Sequence, residues 1–569
     1  MSWPRLRIAS VSFVTSVVAG HRGVRADALS LLSAGSTMRI RPFGFEAAAT
    51  VSLQYAVVIG SLGLVAGTLA ARRPQVGWLV AIALCLFGVG TPAISRWQMD
   101  AVAAGRGNEG PNILLVTADS MRADYASLYG GQSPTPVLEA LASSGAKFDH
   151  AISLAPWTVP SLSGLFSSKY PPSVTPGIRG EERDQQLTLY GQIPAYWLGA
   201  LGQSLPRRLR DRGYDTAAFV ANFAMRKQRW LIDDFDYHLV MQPLMKELRG
   251  PFAKSPFLSC LLQAILPSFY ELHPFDHTRA VTALSRRFIR YHKGERFFLW
   301  AHFLDPHSPY DPPEAYRSMS GPFPFYPYQN RRHDWDKKDY IRSLYAGEIS
   351  YVDDSIGEIL DILRELDLDD RTYVVFTSDH GEELWDHSDF GHGHSVYDEL
   401  LRVPLVIAGP GIPAQVVSRT VSTIDLLPTL ADWTNLAADP EWRGSSWAAA
   451  LAQGSFEPGE TPVFAQATGV LPPPPEPLQA VVLGNYKLVR GMESGKLSLY
   501  DRGADPSESI NRADALPGIT RKLKRALNRW SKSFPVSFDV FAAEGENLEP
   551  DPEMIENLKL LGYLPSDSP

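Results

Sequence analysis

The sequence predicts an α/β fold, a large and mainly parallel sheet flanked by helices, preceded by membrane-spanning helices. Three observations predict it. Short apolar runs alternate with amphipathic stretches from Asn112 onward, which is the pattern of strands and crossover helices. Two stretches without formal charge in the first hundred residues are long enough to cross a bilayer as helix. The 569 residues are 45% apolar and 20% charged, which supplies a large core and excludes wholesale disorder.

Length alone allows about three to four domains, or one large domain with additions. Residues 1–100 read as a membrane region. Residues 47–71 and 75–95 form a transmembrane hairpin whose short turn carries Arg72 and Arg73, and the positive-inside tendency places everything after Arg96 outside the cytoplasm. Arg39 and Arg41 oppose that orientation, and the apolar run 8–20 behind Arg5 and Arg7 has the length of a signal-peptide core. Residues 101–110, AVAAGRGNEG, are a linker.

The globular region then follows in order: NILLVT as a strand, TPVLEALASSG as a helix, YDTAAFVAN and RFFLWAHF as strands, SIGEILDILRELD as a helix, RTYVVFTS and VPLVIAGPG as strands. LPPPPEP at Leu471 to Pro477 is a rigid connector. With 54 Lys+Arg against 62 Asp+Glu, the net charge of -8 gives no reason to expect a nucleic-acid partner. An anionic small substrate would need a local positive site, a metal first of all. Two cysteines as distant as Cys85 and Cys260 build neither a metal site nor a disulfide framework.

In open α/β sheets ligands gather beyond the carboxyl ends of strands. Three runs end in polar residues: NILLVT in Asp119 and Ser120, RFFLWA in His302, Asp305 and His307, and YVVFTS in Asp379 and His380. Oxygen and nitrogen ligands without thiolates suit a divalent cation, with Mn, Zn, Ca and Mg all open. A lone Asp after a strand also serves as a helix N-cap, but Asp379 and His380 in DHGE are adjacent and both reach one ion from a tight turn. In APWTVPS, Pro160 is placed to be the first helical residue, with Thr158 at the positive end of the helix dipole. A Thr hydroxyl on a metal can ionise and attack a tetrahedral ester, and a Thr there can equally be a plain helix cap.

Taken together, NILLVTADSMRADYASLYGG, APWTVPS, HFLDPHSPYDPP, TSDHGEELWDHSDFGHGHSVYDELLRVPLVI and DLLPTL resemble the sulfatase family of the alkaline phosphatase superfamily. The likeness continues through GNYKLVRG, LSLYDRGADPSES and LKLLGYL. It implies an alkaline-phosphatase-like catalytic domain over 111–435 and a small α+β subdomain with a tail over 436–569. It further implies that Asp119, Asp379 and His380 hold the catalytic metal and that Thr158 is the nucleophile. His307 matches the histidine that faces the transferred group. His392 resembles the position where relatives keep Lys or His on the ester oxygens, with His394 as the alternative. His302 and Arg122 are further candidates for substrate contact, although an ion pair of Arg122 with Asp124 accounts for that residue equally well.

Two departures from the family pattern bear on chemistry. Sulfatases proper carry Cys or Ser in a C/S-x-P-S-R pattern, oxidised to formylglycine, whereas these five positions read Thr158, Val159, Pro160, Ser161 and Leu162. A Thr cannot become an aldehyde, because its β-carbon bears a methyl group. Where many sulfatases have two consecutive Asp, this chain has Asp119 then Ser120. The sequence therefore predicts a metal-dependent hydrolase of sulfate or phosphate esters working through Thr158. A phospho-headgroup transferase with a lipid donor and a catalytically dead binding protein are the alternatives. The substrate is a small anionic ester, lipid- or glycan-linked, met at a membrane. Tyr196, Trp197, Arg226, Lys227, Arg229, Trp230 and the GPFPFYPY loop are candidates for a cleft mouth or a membrane-resting surface, and equally for ordinary loop packing.

Overall fold

The computed structural model describes residues 110–170, 204–222, 225, 228–240, 277–319, 337–456, 461–467 and 476–533. The runs 8–20, 47–71 and 75–95, both cysteines, Tyr196, Trp197, Arg226, Lys227, GPFPFYPY and LKLLGYL lie outside the described residues. Among the described residues, no helix is long and apolar enough to cross a membrane.

The strands are β1 Asn112–Ala118, β2 Ala146–Ile152, β3 Asp215–Val220, β4 Tyr237–Val240, β5 Phe297–Phe303, β6 Thr372–Ser378, β7 Glu383–Leu384, β8 Phe390–Gly391, β9 Arg402–Val403, β10 Leu405–Ala408, β11 Gln415–Ser422, β12 Val463–Ala467, β13 Leu478–Leu483, β14 Tyr486–Gly491 and β15 Leu497–Asp501. The large sheet has nine strands in the order β11-β2-β10-β6-β1-β5-β3-β4, with β9 on β2. β1 lies at its centre, parallel to both β5 and β6. β10 runs antiparallel between β6 and β2, so the sheet is mainly rather than wholly parallel. Every residue of β1, β3 and β5 is buried, as expected of strands covered on both faces, and this is why they read as continuous apolar runs.

The helices that matter here are α1 Pro136–Ser143, α2 Thr158–Ser167, α3 Leu205–Asp211, α4 His277–Tyr291, α5 Lys338–Glu365, α6 Leu426–Trp433, α7 Ala448–Gln453 and α8 Pro517–Lys532. On one face, Ile113, Leu115, Phe298, Trp300 and Val375 of the sheet pack with Leu162, Phe166, Leu209, Leu426 and Leu430 of α2, α3 and α6. Trp230 is half-buried and packs against this core. α5 turns a stripe of Ile341, Leu344, Tyr345, Val352, Ile356, Ile359 and Leu363 inward at helical spacing.

Leu436, Trp447 and Leu451 are buried with the large core, and Phe456 packs against it. The first residues of the segment 436–569 thus pack with the large core. Beyond them, β12-β13-β14-β15 form an antiparallel sheet. One face, with Val463, Ala465, Ala480 and Val482, packs on Ile152, Val396 and Leu401 of the large domain. The other, with Val481, Leu488 and Leu499, is covered by Leu523, Leu527 and Trp530 of α8.

An ion network joins the two parts. Lys487, fully buried in GNYKLVRG, donates to Asp398 Oδ1 at 2.9 Å, to Glu508 Oε2 at 2.6 Å and to the Val396 carbonyl at 2.9 Å. Arg502 reaches the other oxygen of Asp398 at 2.7 Å. Removing one partner of a buried pair leaves the others charged and desolvated, which costs about 3–5 kcal/mol. Lys487→Met is expected to lower stability in chemical denaturation by about that amount. A loss below about 1 kcal/mol would place this network among weak surface pairs.

Candidate active site

The site is built from strand ends. β1 and β6 are in register with Ala118 opposite Ser378, so the next residues, Asp119 and Asp379, leave the sheet side by side. The turn after β1 takes Ser120 through a left-handed φ of 61°, uncommon for a residue with a side chain, and hydrogen bonds hold it there. The Ser120 N–H donates to Asp379 Oδ1 at 3.1 Å and its hydroxyl to Asp119 Oδ1 at 3.0 Å. Tyr345 of α5 donates its hydroxyl to the Ser120 carbonyl at 2.7 Å and accepts the Arg122 N–H at 2.9 Å.

α2 begins at Thr158 itself, with Trp157 as its N-cap, two residues earlier than Pro160 suggested. Thr158 is not a cap: its hydroxyl lies 3.5 Å from Asp119 Oδ2, 3.4 Å from His380 Nε2 and 3.3 Å from the Asn222 amide nitrogen. The helix is buried along its length, and Ser161 anchors its first turn by donating to the Asp379 carbonyl at 2.5 Å. The positive end of the α2 dipole thus lies beside the Thr158 hydroxyl.

The donor set fits a divalent cation. Asp119, Asp379 and His380 are buried, and one ligand atom from each lies within 4.8 Å of the others. His380 Nδ1 is 2.8 Å from the Gly381 carbonyl oxygen, which can only accept, so the ring proton sits on Nδ1 and the Nε2 lone pair faces both carboxylates. Nε2 is 3.5 Å from Asp119 Oδ1 and 3.6 Å from Asp379 Oδ2, and burial holds the ring neutral by lowering its pKa to about 3. Among the described residues, no hydrogen bond is made to Asp379 Oδ2. Burial and the facing Asp119 charge push Asp379 well above the usual carboxylate range. Burial would raise Asp119 too, but the rings of His307, His302 and His380 hold it below that range. Two buried carboxylates and an imidazole nitrogen converging this closely make a donor set that a divalent cation satisfies.

Around this centre stand two further imidazoles. The rings of His307 and His392 are 5.0 Å apart, and those of His392 and His380 are 4.5 Å apart. His392 Nδ1 is 2.9 Å from Glu382 Oε1, and Tyr310 donates its hydroxyl to Glu382 Oε2 at 3.0 Å. Burial would raise Glu382, but His392 beside it keeps its carboxyl below the ordinary range. Gly381 makes the tight turn that holds this loop in place, since a Cβ there would lie 1.9 Å from the Glu399 carbonyl oxygen.

Three expected substrate contacts have partners within the fold. His302 is sealed in the sheet, with Nδ1 2.8 Å from the Thr117 hydroxyl and Nε2 3.6 Å from Asp119 Oδ2, so it stands behind Asp119. His394 is turned toward Glu383 at 2.7 Å, which leaves His392 as the residue that joins the site. Arg122 is taken up by Asp124, Asp386 and the Glu382 carbonyl, bracing the turn behind the site. Sequence reasoning missed Asn222, whose amide donates to Asp119 Oδ2 at 2.6 Å. The signal was present: Asn222 stands two residues past β3, a polar residue beyond a strand end like Asp119.

The sulfatase family model matches residues 111–436, more than half of the chain. The chain belongs to the sulfatase family. An uncharacterized sulfatase, YidJ of Escherichia coli (strain K12), is 25% identical over 452 residues, covering 71% of this chain and 83% of the relative. Among solved structures, BT4656 in complex with its substrate D-glucosamine-2-N,6-O-disulfate aligns with a TM-score of 0.56 at 17% identity, over 74% of this chain and 98% of that one. The phosphonate monoester hydrolase of Agrobacterium radiobacter aligns with a TM-score of 0.54 at 21% identity, over 74% and 95%. This sulfatase-family chain thus shares its fold with enzymes named for different tetrahedral esters.

Proposed function

We propose that this sulfatase-family hydrolase is divalent-metal-dependent and cleaves phosphate or sulfate esters, phosphoryl esters by preference, through a covalent ester on Thr158. The observation that carries the reading is the convergence of the Thr158 hydroxyl with Asp119 and His380 at the head of α2, at a position where formylglycine cannot form. Asp119, Asp379 and His380 would hold the cation. When bound, it supplies the positive charge that lowers the pKa of a hydroxyl and offsets charge growing on the transferred group.

The chain's own residues do the rest. Asp119 and Asn222 orient the Thr158 hydroxyl, which loses its proton to solvent and attacks in line while the bond to the leaving oxygen breaks on the opposite side. The α2 N-terminus and the His307 and His392 rings stabilise oxygens of the transferred group or protonate the leaving oxygen. Glu382 and Tyr310 fix the His392 ring. Water then releases the group from Thr158. Glycan-linked esters are the favoured substrate class, in line with the disulfated glucosamine named for one structural neighbour.

The test is turnover of p-nitrophenyl sulfate, p-nitrophenyl phosphate and a phosphate bis-ester by the full chain, after chelation and after adding back Mn, Zn, Ca or Mg. Phosphoester turnover that disappears on chelation and returns with one cation is expected. Sulfate turnover without phosphoester turnover would refute the phosphoryl preference. In this reading the catalytic domain lies outside the cytoplasm on the 47–71 and 75–95 hairpin. A reporter fused after Arg106 should be active only outside the cytoplasm, and activity confined to the cytoplasm would overturn that topology.

A further inference from the structure

The C-terminal helix α8 carries a surface that the reaction does not use. Its sixteen residues contain Arg521, Lys522, Lys524, Arg525, Arg529 and Lys532 and no acid, in a chain whose net charge is -8. All six cations are exposed, while Leu523, Ala526, Leu527 and Trp530 face the subdomain sheet. At 100° per residue, Arg521, Arg525, Arg529 and Lys532 form one stripe running roughly 17 Å along the helix, with Lys522 and Lys524 on its flanks. Arg490 lies against the helix, donating to Asn528 Oδ1 at 2.6 Å.

We infer that this face docks on an anionic phospholipid surface. A convex helix face without exposed aromatic rings offers nothing to enclose or stack a sugar, and it exposes no large apolar side chain for insertion. What it offers is a regular array of positive charge, complementary to a plane of headgroups and sensitive to salt. The apolar runs 47–71 and 75–95, expected to span a bilayer, are the reason to choose a lipid plane over another polyanion. Docking of α8 would set the orientation of the catalytic domain above the membrane. Two rival occupants are a sulfated polysaccharide and the chain's own residues 534–569, which hold eight Asp and Glu and one Lys.

The test places a fluorophore at Gly518→Cys, an exposed site with open space for a side chain, in a Cys85→Ser, Cys260→Ser background of the full chain. The protein is reconstituted in phosphatidylcholine vesicles with or without about 30% phosphatidylglycerol, and energy transfer to a headgroup-bound acceptor is read. Transfer should rise with the anionic lipid and fall back at about 0.5 M salt. Affinity of the face should fall roughly fivefold for each cation removed, so that combined Arg521→Gln, Arg525→Gln, Arg529→Gln and Lys532→Gln abolishes the response. Equal transfer in neutral and anionic vesicles, or a response that survives the fourfold variant, overturns the inference. So does binding of a sulfated polysaccharide that needs these residues while vesicles evoke no response. Silence toward both, as occupation by 534–569 would give, overturns it as well.

Discussion

Thr158→Ala should reduce phosphoester turnover by at least about 10⁴-fold, since loss of a nucleophile that acts in one unit with its activating groups removes most of the catalytic power. The side chain is buried in a packed helix start, where Ala removes only two heavy atoms and has the highest helix propensity, so α2 should persist. Metal content and melting temperature should stay near wild type. Thr158→Ser keeps a hydroxyl at the same place and should recover most of the loss. Wild-type turnover in Thr158→Ala would remove the residue from the mechanism, and recovery by Ser separates lost chemistry from lost folding.

Asp379→Asn should cost turnover a similar factor while raising the stability of the metal-free protein. One ligand loses its charge, so cation content measured by elemental analysis should drop from stoichiometric to near zero, and turnover should fall with it. The metal-free protein should nevertheless become more stable, by about 1–3 kcal/mol, because burial and Asp119 already penalise the ionised Asp379 carboxyl. The amide keeps the acceptor for the Ser120 and His380 N–H groups, at 3.1 and 2.8 Å in the wild type. A metal-free variant that melts below metal-free wild type would mean that the two carboxylates do not repel, and the cation site would lose its physical basis.

Much of the site was legible because a parallel sheet converts strand ends into neighbours. Asp119 and Asp379 were marked by the apolar runs before them, and the register of β1 and β6 brings them together. The choice between His392 and His394 was not legible. Residues two apart share a side only in extended backbone, and Gly391 and Gly393, at φ of 93° and 88°, break that alternation and turn the two rings to different carboxylates. His302 looked like a ligand-facing residue for the same reason as Asp119, but it still lies within β5 and its ring is held by Thr117. The reversed direction of β10 was equally hidden, since an apolar run reads alike in both directions. Leu436, Trp447 and Leu451 gave no sign of which core they join, because burial depends on contacts remote in sequence.

The C-terminal motifs take their meaning from the ion network. Lys487, Arg502 and Glu508 come from GNYKLVRG and DRGADPSES, and Asp398 follows the segment that carries His392 and His394. The subdomain thus braces the loop that ends in Asp398, which ties a distant sheet to the geometry of His392.

The central claim is a covalent ester on Thr158, and rapid acid quenching during steady turnover of a p-nitrophenyl phosphoester tests it most directly. Peptide mass analysis should find one phosphoryl group on Thr158, absent from Thr158→Ala and from enzyme quenched without substrate. Full turnover with Thr158 unmodified at every quench time, or with the group on another residue, would contradict the account.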